Sequence, residues 1–73
     1  MIKLNVALEL AKAYELELTV CIETENAYIF GNPEIKTIGG ELPIVVLKES
    51  GEIINMTEYI DMYSSAIIKE FSL

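Results

Sequence analysis

The sequence predicts an α+β fold: a two-layer domain in which an antiparallel sheet of about four strands carries an N-terminal and a C-terminal helix, in the order α-β-β-β-β-α. Three observations lead there. The first seventeen residues place apolar side chains three and four apart, the spacing of a helix face. Two later stretches alternate with a period of two and are folded back by short polar turns, the pattern of hairpins. The C-terminal segment returns to helical spacing. With 73 residues, the whole chain, 1–73, reads as one small domain, since domains are rarely smaller than about 50 residues.

The N-terminal helix is expected to start at Asn5, whose side chain suits an N-cap. Val6, Leu10 and Ala13 follow one row, while Leu4, Leu8, Ala11 and Tyr14 follow another. So wide an apolar face belongs deep against a sheet. The period changes near Leu18. In "LTVCIET", Leu18, Val20 and Ile22 share one face and Thr19, Cys21 and Glu23 the other. "TEN" supplies a turn and "AYIFG" a return strand, giving a hairpin over residues 18–31.

Asn32–Pro33 and Gly39–Gly40 mark turns. Between them "EIKTI", residues 34–38, alternates as a short edge strand would. "PIVVL" then runs apolar on both strand faces, which calls for cover on both sides. "KESGE" fits a hairpin loop with Glu49–Ser50 in a type I turn and Gly51 in the left-handed region beside a bulge, and "EIINM" returns. Thr57 reads as the N-cap of the second helix. Ile60, Tyr63, Ile67 and Phe71 would form its core stripe and leave Ile68 outside.

If both helices share one face of the sheet, the other face needs a partner. Ile44, Val46 and Ile68 are therefore candidates for self-association as a homodimer. Small domains bury only about 60% of their unfolded surface, so help from oligomerisation is a common device. The alternative is an efficient core, consistent with a 52% hydrophobic composition.

The remaining composition narrows the function classes. Cys21 is the only cysteine and there is no histidine, which removes disulfides and leaves no tetrahedral zinc set. Cys21 has no base to activate it and reads as a buried structural thiol. The net charge is −7, with five lysines and no arginine, which argues against nucleic acid. Such a field favours solubility or a basic partner. No apolar run approaches the roughly 18 residues of a membrane span. The N-terminus lacks the unbroken core of a signal peptide. A cytoplasmic location follows as the expectation.

The carboxylate pairs Glu23/Glu25, Glu49/Glu52 and Glu58/Asp61 sit at turns or a helix start, where water solvates them, so they are not read as catalytic dyads. Gly39–Gly40 lacks the helix start and lysine of a phosphate loop. No catalytic residue, cofactor or metal site is expected. An acidic patch of Glu49, Glu52, Glu58 and Asp61 is the candidate surface for a protein partner. Tyr14, Tyr28, Tyr59 and Tyr63 read first as core-lining rings whose hydroxyls reach the rim; Tyr59 is the best candidate among them for an interface anchor, because tyrosine is enriched at hot spots.

The stretch "LPIVVLKESGEIINMTEYIDMY", with Ala7, Leu8 and Ala11 in the first helix and Tyr28 and Phe30 in an aromatic strand, resembles the small YrhB-like immunity domains of bacterial polymorphic-toxin loci. Pro43, Val45, Gly51, Tyr59 and Tyr63 occupy matching places. The chain is shorter between the aromatic strand and Pro43, and it has no tryptophan. The resemblance implies a non-enzymatic protein that binds a toxin domain, a role to which an acidic surface and a basic partner are suited. The alternative is a self-associating structural or assembly protein.

Overall fold

The computed structural model describes residues 1–14, 17–33, 43–63 and 67–73. Its elements are α1 (Leu4–Lys12), β1 (Val20–Thr24), β2 (Ala27–Gly31), β3 (Ile44–Leu47), β4 (Ile53–Asn55), α2 (Met56–Met62) and β5 (Ile67–Ser72). The class is α+β, as expected. The sheet has five strands, all antiparallel, in the order β4-β3-β2-β1-β5. The expected edge strand at 34–38, and the turn at Gly39–Gly40, lie outside the described residues.

Two expectations need correction. The C-terminal helix stops at Met62, where Tyr63 turns extended (φ −133°, ψ 145°), and the chain returns as β5 beside β1. Ile67 and Ile68 are stiff β-branched residues that favour strand over helix, and Lys69 finds its place opposite Glu23. The core stripe of α2 also differs. Tyr59 is buried while Ile60 is 63% exposed, so Tyr59 takes the inward place expected of Ile60, while Tyr63 packs inward as expected.

The second correction concerns layers. The two helices lie on opposite faces of the sheet, so the domain is not two-layered. α1 covers the face that carries Cys21, Tyr28, Phe30, Ile44 and Val46. On the other face α2 packs through Tyr59 against Ala27, Ile29, Val45, Leu47 and Ile54. β3 is buried at all four positions because each of its faces meets one helix. The apolarity of "PIVVL" is thus satisfied within one chain. Ile44 and Val46 lie beneath α1 and offer no surface to a second copy.

Local chemistry explains the element ends. α1 begins after Lys3, which makes no side-chain cap, so Asn5 lies inside the helix instead of capping it. Only Ala7 and Ala11 of α1 are fully buried, with Leu4 and Leu8 half-buried beside them. These small residues let the helix axis come close to the sheet, in the core cluster that also holds Phe30. For α2 the N-cap is Asn55, not Thr57. Its side-chain oxygen accepts from the Glu58 amide at 2.8 Å, and its amide donates to the Glu58 carboxylate at 3.1 Å.

The β1–β2 connection is held by Thr24, whose buried hydroxyl accepts from the amides of Asn26 (3.3 Å) and Ala27 (3.1 Å). The β3–β4 loop runs over residues 48–52. Leu47 N donates to Glu52 O at 2.9 Å, and Gly51 N donates to Leu47 O at 2.8 Å. Gly51 has φ 76°, the left-handed conformation expected of it. A methyl group there would meet Leu10 at an ordinary 3.5 Å, so space is not the constraint. Gly51→Ala is expected to lose about 1–2 kcal/mol from backbone conformation alone, and Gly51→Asn less. Urea unfolding of both variants checks this, and an alanine variant as stable as the parent would remove the argument. Among the described residues no helix is long and apolar enough to cross a membrane.

Candidate functional site

The sheet's antiparallel order brings two turns to one end. The β1–β2 turn supplies Glu25 and Asn26, and the β3–β4 loop supplies Lys48 and Glu49. They are tied together by Lys48 N donating to Asn26 O at 2.8 Å, while Ile2 N donates to Lys48 O at 2.8 Å and brings the N-terminal segment alongside. α2 runs back towards this end and delivers Tyr63, whose ring stacks on Tyr59 with centroids 5.3 Å apart. A cleft of about 320 Å³ opens between these parts, with Leu47, Lys48, Asn26, Glu25, Glu49 and Tyr63 in its walls.

An ion pair lies next to the cleft. Lys48 is only 8% exposed, and its Nζ donates to Glu23 Oε2 at 2.6 Å. The same ammonium sits 4.9 Å from the centre of the Tyr28 ring. Lys69 reaches Glu23 Oε1 from β5 at 3.8 Å. Glu23 is held below the usual carboxylate range, first by the hydrogen bond from Lys48, with both lysine charges adding to it against the cost of burial. Lys48 is therefore committed to Glu23; the exposed carboxylates of Glu25 and Glu49 share the wall of the cleft with Met1.

Cys21 lies fully buried on the α1 face. Burial, and next the charge on Glu23, push its thiol up from 9.0 to about 11. Both displaced groups have moved away from neutrality, the opposite of what proton transfer or thiolate attack at pH 7 requires. That rise lowers the thiolate fraction, and burial removes access to it. At pH 8 the folded protein is therefore expected to react with an aromatic disulfide reagent at least about 10-fold more slowly than in urea. Equal rates would mean that Cys21 is accessible.

The predicted partner-binding residues are not gathered into one patch. Glu49 reaches the cleft, and Glu52 follows it on the same loop, exposed. Glu58 lies at the opposite end of β4, because Asn55 pairs with Ile44 while the loop adjoins Val46 and Ile53. Its carboxylate is engaged by the Asn55 amide. Asp61 is exposed on α2. Tyr59 takes the core-lining role and not that of an interface anchor: it is 4% exposed, with its hydroxyl 2.7 Å from Thr24 Oγ1. That contact couples α2 to the β1–β2 turn. Ile68 alone of the self-association candidates is exposed, at 55%.

Glu25 and Lys48 were not singled out as binding residues from the sequence. Their signal was present but indirect: each adjoins a turn, and turns joined by neighbouring strands meet in space. Glu23 also offered a clue, as an acid sharing a strand face with buried Cys21. A second hollow, about 480 Å³, lies beside β5 with Val20, Ile22, Pro33, Glu70 and Ser72 in its walls. It is larger, but among the described residues in its walls Glu70 is the one charged group, so fewer charged groups converge there. Among the described residues no three histidine, cysteine or acidic side chains come together in a way that could hold a metal ion.

No protein-family model, curated protein or solved structure matches this chain.

Proposed function

We propose that the protein is a small, non-enzymatic, cytoplasmic protein-binding module of immunity type, and that it receives a basic surface of its partner at the cleft between the β1–β2 turn and the β3–β4 loop. The observation that carries this reading is the pairing of two exposed carboxylates, Glu25 and Glu49, with the Tyr63 ring and the apolar Leu47 in one cleft. Lysine or arginine side chains bind well to that combination, because the aromatic and apolar walls accept the stem while the carboxylates take the charge. The net charge of −7 would speed the encounter with a basic partner. The resemblance to YrhB-like immunity domains points the same way, towards a toxin domain as that partner.

The test is capture of partners from the native cell on immobilised protein, beside Glu25→Lys/Glu49→Lys. The expected result is a basic protein that is retained by the parent, released as salt rises, and not retained by the charge-reversed variant. Retention that ignores both salt and charge reversal would overturn the reading.

The alternative, a self-associating protein, draws support from Ile68 on the exposed edge strand β5. Light scattering at several concentrations separates the two. A mass of one chain throughout excludes self-association, and a salt-insensitive dimer that loses mass in Ile68→Glu would favour it.

A further inference from the structure

We draw no further inference here: the strongest candidate, the outer edge of β5 with Ile67 and Ile68 exposed along it, carries nothing, because nothing in the structure shows what covers it.

Discussion

Phe30→Ala is expected to lower the stability of the domain by about 3–5 kcal/mol, which unfolds the chain at 25 °C if the parent lies at the low end of its range. Phe30 lies in β2, the middle strand of five, opposite Cys21 on one side and Ile44 on the other. It is 0% exposed and belongs to the core under α1. Replacing a buried phenylalanine by alanine costs about 3–5 kcal/mol, because transfer energy is lost and a cavity remains. A domain of 73 residues has a total of roughly 4–11 kcal/mol to lose. The substitution therefore removes roughly a quarter or more of the stability, and all of it at the low end. Circular dichroism with urea titration reads the outcome. Ile60→Ala, on the exposed side of α2, serves as the control and is expected to stay within about 0.5 kcal/mol of the parent. A cooperative Phe30→Ala variant with an unchanged midpoint would mean that the α1 layer contributes little.

The same packing explains what the sequence revealed and what it hid. Both hairpins were legible because alternation and turn chemistry are local: "TEN" and "KESGE" fold the chain wherever the rest of it goes. Gly51 was legible for the same reason. The C-terminal third was not. Ile60, Tyr63, Ile67 and Phe71 fit a helical stripe, while Ile67, Lys69 and Phe71 fit a strand face equally well, and short apolar segments leave that ambiguity open. What resolves it is tertiary. β1 has one side free to pair, and a strand at 67–72 places Lys69 opposite Glu23 and Phe71 opposite Cys21. The two-sided apolarity of "PIVVL" did state correctly that both faces are covered. Attributing one of those covers to a second copy followed from stacking both helices on the same face, a choice the helices' own periodicity does not make. In the cleft, Glu49 could be read from its loop. The nearness of Glu25 needs the register of β1, β2 and β3 together.

Lys48→Met is expected to cost about 2–3 kcal/mol, somewhat below the 3–5 kcal/mol of breaking a fully buried ion pair, because Glu23 keeps some contact with water. The methionine preserves the apolar stem over Tyr28, so the loss reports the charge. Lys69 cannot replace it: its side chain is 62% exposed and 3.8 Å away, a geometry worth little in solvent. Glu23→Met alone should also destabilise, since it leaves the nearly buried ammonium of Lys48 without its counter-charge. The double variant Glu23→Met/Lys48→Met should recover most of the loss, because two apolar side chains in contact need no compensation. A double-mutant cycle then yields a coupling energy above about 1 kcal/mol. Acid provides an independent readout. Glu23 is depressed in the folded state relative to its ordinary 4.5, so its contribution is complete above pH 4.5 and is lost as pH falls through the folded value. The parent should therefore lose stability on acidification below that point. In Lys48→Met the main cause of the depression is gone, so this site's part of the acid loss should flatten, and in the double variant it should vanish. Additive single substitutions, with acid slopes indistinguishable across all four proteins, would show that the pair is an ornament of the surface and not a tie between β1 and the β3–β4 loop.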